Sequence, residues 1–280
     1  MKPFTYHTHS TYCDGKNTLS EMASAAYGLG IDSLGLACHS HVEHDPIGCI
    51  ATEKVKDFKK EIRELQQIYT PMGMDIFLGI EQDALSAPIE NRNDYDYVIG
   101  SMHYLTVDGE HVTIDSKKSF FQNLEKYFGN DAIALSTEYY KCMKSLYERT
   151  GCDIVGHFDI VTKFNEGECL FSESDPRYEN AAAEAIEKLV KKDLIFEINI
   201  GSIPRGYRSQ PYPSKRLLSL IHESGGRVTY ASDCHDASFL TYGFDLAQKL
   251  AHECGFRYFM KLKRTPSGAE FYPEEIEVSK

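Results

Sequence analysis

The feature that most restricts the fold of this chain is the alternation of short apolar runs with stretches of helical periodicity. Seven runs have the length and composition of buried strands: Phe4–His7, Ser33–Ala37, Ile76–Ile80, Tyr97–Ser101, Ile154–Gly156, Leu194–Ile198 and Arg227–Ala231. Nearly every run is followed by a helical pattern, and strands that are joined through helices lie parallel in one sheet. The pattern predicts an α/β protein, a (β/α) barrel of seven strands rather than eight.

Helix signals separate the strands. Thr18 and Glu21 have the spacing of a capping box, which predicts a helix that ends near Gly28 and Gly30. Further helical patterns cover these segments: 55–68, 133–147, 181–190, 215–221 and 244–250. Because no linker, repeat or low-complexity stretch divides the 280 residues, we expect a single domain over 1–280.

One connection is longer than a crossover needs. About 50 residues separate Tyr104 from Gly151, and such long connections are uncommon in compact domains. The segment at about 104–150 is therefore predicted to be an inserted helical segment. It can pack on the outside of the barrel, or it can form a lid over the mouth, where loops line the catalytic face of such barrels.

Composition excludes some classes of protein. The net charge of −12, from 42 acidic and 30 basic residues, argues against a protein that grips nucleic acid or an anionic membrane. The chain starts with no signal-peptide pattern and contains no apolar run of about 18 residues, so neither secretion nor membrane spanning is expected. The eight cysteines include no C-x-x-C pair and indicate reduced thiols in a cytoplasmic protein.

Metal-binding residue types follow the strands. Side chains two residues apart in a strand point the same way, so His7 and His9 can converge on one divalent cation. The other candidates stand at later strand ends or in the first loop: Asp14, His39, Glu81, His103, His157, Asp233 and His235. The carboxyl ends of barrel strands form one ring, which would bring all nine together.

Each candidate also has an ordinary structural explanation. A histidine at a strand end can be a hydrogen-bonded core residue, Glu81 a salt-bridge partner and Asp233 a helix N-cap. The conjunction favours metals, because so many polar groups at one sheet edge would be costly without a cation. Nine ligands exceed the needs of one ion and suit two or three ions bridged by a carboxylate.

The motifs HTHSTYCDG, GIE, GSMH, VGH and SDCH, with His39 after the second strand, resemble the PHP (polymerase and histidinol phosphatase) superfamily. Within it, GHFDIVTKF and EINIGSIPRGY look like histidinol-phosphatases. The resemblance spans the chain and implies a distorted seven-stranded barrel with its metal site at the carboxyl ends of the strands. Cys38 departs from the family, which commonly has an acidic residue there, so the support of His39 differs.

The resemblance also implies three metal positions. They would be held by His7, His9, Glu81 and Asp233, by Glu81, His103 and His157, and by Asp14, His39 and His235. The cofactors would be two or three divalent ions, and mixed imidazole and carboxylate ligands suit Zn²⁺, Mn²⁺ or Fe²⁺.

The expected activity is that of a phosphoric monoester hydrolase. Water shared between two cations loses a proton near neutral pH and can attack phosphorus. The implied substrate is L-histidinol phosphate, cleaved to L-histidinol and inorganic phosphate in histidine biosynthesis. The residues expected to take part in catalysis are Glu81, Asp233, His235 and His41, of which His41 could protonate the leaving alkoxide.

Substrate contacts are expected from the loops around the site. Arg205 is the best candidate to hold the phosphate, because a guanidinium matches phosphate geometry. The other candidates are Lys163, His41, His44 and Asn199. His41 and His44 could equally be solvated loop residues, and Asn199 could orient a metal ligand instead of the substrate. Acidic or aromatic residues of the 104–150 insertion, with Asp115 and Tyr104 as candidates, are expected to recognise the rest of the substrate.

Other functions are weighed against this one. A phosphoesterase of the same superfamily could act on a phosphotyrosine protein, a nucleotide or a sugar phosphate, with the same metal residues. An exonuclease module is opposed by the acidic charge, and a purely structural metal site needs four ligands, not nine. We expect a small phosphorylated substrate, no nucleic acid or membrane partner, and a monomer or small homo-oligomer.

Overall fold

The computed structural model describes residues 1–277, and its strands form one large curved sheet and one hairpin. In chain order the strands are β1 (Phe4–Thr5), β2 (Ser33–His39), β3 (Asp75–Asp83), β4 (Ile99–Ser101), β5 (Tyr104–Val107), β6 (Glu110–Thr113), β7 (Ile154–Val155), β8 (Ile195–Asn199), β9 (Arg227–Ala231), β10 (Tyr258–Thr265) and β11 (Gly268–Glu275). The large sheet has the order β1-β2-β3-β4-β7-β8-β9-β10-β11, and every pair except β10–β11 is parallel.

The helices flank this sheet. They are α1 (Leu19–Gly28), α2 (Val55–Tyr69), α3 (Lys117–Phe128), α4 (Ala132–Met143), α5 (Leu146–Thr150), α6 (Pro176–Val190), α7 (Lys215–Glu223) and α8 (Phe244–Glu253). The Thr18 capping box begins α1 as predicted. Within residues 1–277, no helix has both the length and the apolar character that crossing a membrane requires.

The α/β prediction is confirmed in its general form, although the sheet is larger and mixed. All seven predicted strands are present with slightly shifted ends, and β10 and β11 extend the sheet as an antiparallel pair. Most side chains of β11 are at least partly exposed, so its sequence alternates instead of forming an apolar run. This is the physical reason why the search for buried strands missed it.

The beginning of the chain lies next to β9. Just beyond β1, Thr8 forms an isolated parallel bridge with Cys234, and the His9 amide donates to the Cys234 carbonyl at 2.9 Å. Before that bridge, the Ser232 amide donates to the Thr5 hydroxyl at 3.0 Å. The first strand and the ninth therefore meet directly, and the residues that follow them share one end of the sheet.

The long segment at about 104–150 is a hairpin followed by three helices. Asp108 and Gly109 connect β5 to β6, and both have positive φ, of 51° and 83°, as a tight hairpin turn requires. Helices α3, α4 and α5 follow, where a single helix was predicted over 133–147. The single-domain organisation with this insertion stays a prediction.

Tyr97 is a fully buried core residue beneath the strand ends. Its hydroxyl donates to the carbonyl of Tyr6. The ring passes over Gly35 in β2 and Gly79 in β3, and a Cβ atom at either position would overlap it. Glycine is therefore required at both positions, and the aromatic plug supports the strand ends above it.

Candidate metal centre

The nine side chains predicted as metal ligands converge at the carboxyl ends of the strands. The ligand atoms form three overlapping groups, and within each group they lie within 4.8 Å of one another. The groups are His9, Asp14, His39 and His235; His7, His9 and Asp233; and His39, Glu81 and His103. Residues separated by more than two hundred positions in sequence therefore surround one small volume, as parallel strands allow.

Glu81, at the carboxyl end of β3, is the centre of this cluster and is 1% exposed. Its Oε2 lies 2.6 Å from Nδ1 of His39 and 3.3 Å from Nε2 of His7. Its Oε1 lies 3.0 Å from Nε2 of His157 and 3.5 Å from Nε2 of His103. His9 is a fifth imidazole, with Nε2 3.7 Å from Oε2, so the two oxygens of this carboxylate could each serve a different cation.

The groups compare closely, but not completely, with the three implied metal positions. His7, His9 and Asp233 stand together, and Glu81 approaches both histidines. The group of Asp14, His39 and His235 also contains His9. Around Glu81 and His103 the third member is His39, whereas His157 approaches Oε1 of Glu81, the oxygen that His103 also approaches. The division of ligands among ions stays a prediction.

Carboxylates outside this set fix the orientation of two imidazoles. Nδ1 of His7 donates to Glu197 at 3.0 Å, and Nδ1 of His103 donates to Asp83 at 3.1 Å. Because an ionised carboxylate can only accept a hydrogen bond, each of these rings carries its proton on Nδ1. In the neutral ring that a cation would bind, the lone pair is therefore on Nε2, which faces the cluster.

Sequence reasoning did not identify Glu197 or Asp83, although both leave a signal. Glu197 is a buried charged residue inside the apolar strand β8, where such a residue needs partners. It also accepts from the His157 amide and from Asn199 Nδ2, each at 2.7 Å. Asp83 stands two residues after Glu81 in β3 and so lies on the same side of the sheet.

A cysteine thiol lies beside His9, where carboxylates lie beside His7 and His103. The Cys13 thiol lies 3.5 Å from Nδ1 of His9. Cys38, the residue that departs from the family pattern, is buried with its sulfur 3.3 Å from the Ser10 hydroxyl. Thiols and a hydroxyl therefore occupy the region where an acidic residue was expected before His39.

Unpaired atoms test whether this site fits a cation. Nε2 of His7 and Nε2 of His9 are buried, and neither makes a hydrogen bond within residues 1–277. Leaving such atoms without partners destabilises a fold, so their retention calls for a ligand. Buried imidazole nitrogens next to carboxylate oxygens form a donor set that suits divalent zinc, manganese or iron. The residues present fit such ions.

Protonation shows the same electrostatic balance. Burial alone would lower the pKa of His7, but the carboxylates of Glu197 and Glu81 raise it well above its usual value. Burial also opposes the charged form of His39, yet Glu81 raises the pKa of His39 to about 10. Burial acts to raise the pKa of Glu81, but His39 and His7 outweigh this effect and hold the pKa well below its usual value. Protons therefore balance the carboxylates, and bound cations would replace them.

Two cationic side chains, Arg205 and Lys163, line a cavity next to the cluster. Arg205 lines the cavity; its Nη2 lies 2.9 Å from Oδ2 of Asp233, and its Nε donates to the Gly201 carbonyl at 2.7 Å. Lys163, buried and in the same wall, donates to the side chain and the carbonyl of Asp115. The charged groups of Arg205 and Lys163 are thus close to the predicted metal ligands.

The other predicted substrate residues lie in different surroundings. Asn199 donates from Nδ2 to Asp233 at 3.1 Å, so the structure places it behind a predicted ligand. His41 is half-buried, and its Nδ1 has no hydrogen-bond partner within residues 1–277. The exposed ring of His44 packs on Tyr104 and His111, with ring centroids 4.7 and 4.4 Å away. His44 therefore joins the loop after β2 to the β5–β6 hairpin.

Comparison with known proteins agrees with this geometry. A sequence model of the PHP domain matches residues 5–201, well over half of the chain. The chain belongs to the PHP domain family. A PHP relative from Schizosaccharomyces pombe, named a "probable histidinol-phosphatase", is 23% identical over 294 residues, which cover 95% of this chain and 91% of the relative.

Two solved structures share the fold of this PHP protein. A Listeria monocytogenes protein superposes with a TM-score of 0.75 at 18% identity, covering 87% of this chain and 99% of that protein. A histidinol phosphate phosphatase from Lactococcus lactis, solved with zinc, L-histidinol and phosphate, has a TM-score of 0.65 at 17% identity, covering 93% and 96%. The prediction of a phosphoric monoester hydrolase of this family agrees with the names of these relatives.

Proposed function

We propose that this PHP protein hydrolyses L-histidinol phosphate to L-histidinol and inorganic phosphate. The observation that carries the proposal is the convergence of unpaired imidazole nitrogens on Glu81 and Asp233 beside Arg205. The Lactococcus lactis protein of the same fold holds zinc, L-histidinol and phosphate together, which supports this choice of substrate.

We infer that the parallel strands β1–β4 and β7–β9 form a distorted seven-stranded barrel, with the cations at their carboxyl ends. Two or three ions of zinc, manganese or iron would be held by the nine predicted ligands: His7, His9, Asp14, His39, Glu81, His103, His157, Asp233 and His235. When bound, such ions neutralise phosphoryl charge and lower the pKa of water.

The protein's own contribution begins with orientation. Glu197 and Asp83 hold the Nδ1 protons of His7 and His103, so the Nε2 lone pairs remain directed into the cluster. Asn199 donates to both Glu197 and Asp233 and thereby couples this support to a second carboxylate. These contacts keep the site in one geometry before a ligand arrives.

Arg205 supplies the main contact with the phosphoryl group. Its Nε and Nη2 are engaged by Gly201 and Asp233, whereas Nη1 has no partner among residues 1–277. A guanidinium anchored on two sides presents its remaining N–H groups in a fixed direction, which favours binding of phosphate oxygens. Lys163 adds a second positive charge in the same wall.

An adjoining cavity, which shares Asp14, Glu81 and Asp115 with the cavity that Arg205 lines, favours a cationic leaving group. The carboxylates that line it are Asp14, Asp45, Glu81, Asp83 and Asp115, and neither lysine nor arginine lines this second cavity within the described residues. Nucleotides and sugar phosphates carry no positive charge for these groups, whereas histidinol carries an ammonium group and an imidazole. The charge distribution therefore supports histidinol phosphate over those alternatives.

The leaving alkoxide must receive a proton as the phosphorus–oxygen bond breaks. His41, with an unpaired Nδ1, remains our candidate donor, and His235 is the second imidazole to examine. Burial and neighbouring His9 lower the pKa of His235, which favours its neutral form, so His235 is better suited to bind a cation than to give up a proton. We further propose a cytoplasmic monomer or small homo-oligomer without nucleic-acid or membrane partners.

The test is turnover by metal-loaded protein on a panel of histidinol phosphate, phosphotyrosine, a nucleoside monophosphate and a sugar phosphate. We expect the highest kcat/KM on histidinol phosphate. His9→Ala and Asp233→Asn should abolish it while the protein stays folded, whereas His252→Ala, on the exposed side of α8, should not. Full turnover by metal-free His9→Ala would contradict the proposal, and a preference for another ester would reassign the substrate.

A further inference from the structure

Tyr212 carries a buried hydroxyl that the site described so far does not use. The residue is 2% exposed, and its hydroxyl makes no hydrogen bond to any group within residues 1–277. Buried tyrosines usually find a partner for the hydroxyl, because an unpaired polar group in the interior destabilises the fold. The hydroxyl is therefore free to take a hydrogen-bond partner that is not among the described residues.

The position of Tyr212 is set by the strand that supports the metal centre. Its amide donates to the Asn199 carbonyl at 2.9 Å, and the Asn199 amide donates to the Tyr212 carbonyl at 2.7 Å. This antiparallel bridge fixes Tyr212 to Asn199, the last residue of β8, which stands two residues beyond Glu197. The backbone of Tyr212 is therefore positioned by the same strand that carries Glu197, the carboxylate that orients His7.

Tyr212 also forms part of the wall that contains the cationic side chains. It lines the same cavity as Arg205, Lys163 and His157. Burial, reinforced by the nearby carboxylate of Asp159, raises the pKa of Tyr212 well above its usual value. The hydroxyl therefore keeps its proton and can act as a hydrogen-bond donor.

We propose that the Tyr212 hydroxyl donates a hydrogen bond to a phosphoryl oxygen, as a neutral donor beside Arg205 and Lys163. The inference rests on the proposed phosphatase function and extends the phosphate site by one residue. A phosphoryl group has several strongly accepting oxygens, and it would satisfy the unpaired hydroxyl when it enters the cavity.

A purely structural role is the alternative to exclude. Oδ1 of Asp159 is also buried without a partner, while its Oδ2 accepts from the Ser214 amide at 2.9 Å. A small shift would let Tyr212 donate to Asp159 instead of to a ligand. The two roles differ in one measurable respect, because only the first makes phosphate affinity depend on the hydroxyl.

The experiment compares Tyr212→Phe with Tyr178→Phe in the full-length, metal-loaded protein. Tyr178 is also fully buried, but its hydroxyl accepts from Tyr140 at 3.0 Å and not from a ligand. Titration calorimetry with inorganic phosphate should show binding weaker by about tenfold or more in Tyr212→Phe, the loss expected for a hydrogen bond to a charged group. Tyr178→Phe should bind phosphate like the wild type, and metal content should be the same in all three proteins.

Equal phosphate affinity in Tyr212→Phe and the wild type, with turnover intact, would overturn this inference and leave the proposed function standing. A wild-type protein that neither binds phosphate nor cleaves histidinol phosphate would overturn both. If Tyr212→Phe does not fold, a crystal structure of the wild type with metal and phosphate decides. We expect the hydroxyl oxygen within about 3 Å of a phosphate oxygen, and an Asp159 contact instead would refute the proposal.

Discussion

Replacing Glu197 by glutamine tests whether the imidazole tautomers are fixed as the structure indicates. The carboxylate accepts from three donors, which are Nδ1 of His7, the amide of His157 and Nδ2 of Asn199. A glutamine amide offers one oxygen and two N–H donors in the same volume. At least one of the three contacts must then pair a donor with a donor, or the His7 ring must move its proton to Nε2.

Either outcome weakens cation binding. A proton on Nε2 of His7 occupies the lone pair that faces Glu81, 3.3 Å away. Loss of such a supporting contact typically lowers metal affinity by about 10- to 100-fold, which corresponds to about 1.4–2.7 kcal/mol. A buried N–H left without an acceptor adds an unfolding penalty of about 1–3 kcal/mol. We therefore expect weaker metal binding and a lower thermal midpoint in Glu197→Gln.

The assay is competition for zinc between the protein and a chromogenic chelator, with thermal unfolding of the metal-free and metal-loaded forms. Glu184→Gln is the matched control, because Glu184 is exposed and its partner is Lys144 at 2.9 Å. Surface pairs of this kind contribute little, so the control should resemble the wild type. Unchanged zinc affinity in Glu197→Gln would refute the argument that this carboxylate fixes the tautomer.

Three further results are expected. Arg205→Ala should raise the KM for histidinol phosphate by about tenfold or more, and an unchanged KM in steady-state kinetics would remove this residue from the phosphate site. Gly79→Ala should destabilise the fold by about 1–3 kcal/mol in urea unfolding, because the new methyl group overlaps Tyr97; wild-type stability would mean that the core adjusts freely. In metal-free protein the pKa of His39 is raised, against burial, by Glu81, from 6.5 to about 10. Its stabilising charge is complete below pH 6.5 and is lost as the pH rises toward 10, so the thermal midpoint should fall over that range and should fall less with metal bound.

Much of the fold was predictable because the parallel strands are buried on both faces and are read as apolar runs. The β5–β6 hairpin was missed, although Asp108 and Gly109 form a typical hairpin turn between alternating residues. The β10–β11 pair was also missed, because its half-exposed sequence has no continuous apolar run. Pattern reading therefore succeeds where burial dominates a strand and fails at the edge of the sheet.

The predicted metal ligands could be proposed from sequence because all except Asp14 stand at or near the carboxyl end of a strand, where topology alone brings them together. Glu197 and Asp83 were missed because their function depends on which atom faces which ring, and spacing does not define that. The surroundings of His44 also depend on tertiary packing, since Tyr104 and His111 come from the hairpin. Sequence motifs thus located the candidate centre but not the contacts that orient it.

The junction of β1 with β9 has a consequence for how the protein ages in the cell. The isolated bridge of Thr8 with Cys234 and a few hydrogen bonds of Ser232 link the two segments, and His7 and His9 stand on one side of the bridge while Asp233 and His235 stand on the other. Cations held by these four side chains would stabilise this junction, because a ligand that binds only the folded state favours that state. Loss of the metal would then loosen this junction and make the chain more accessible to proteases, in addition to removing its activity.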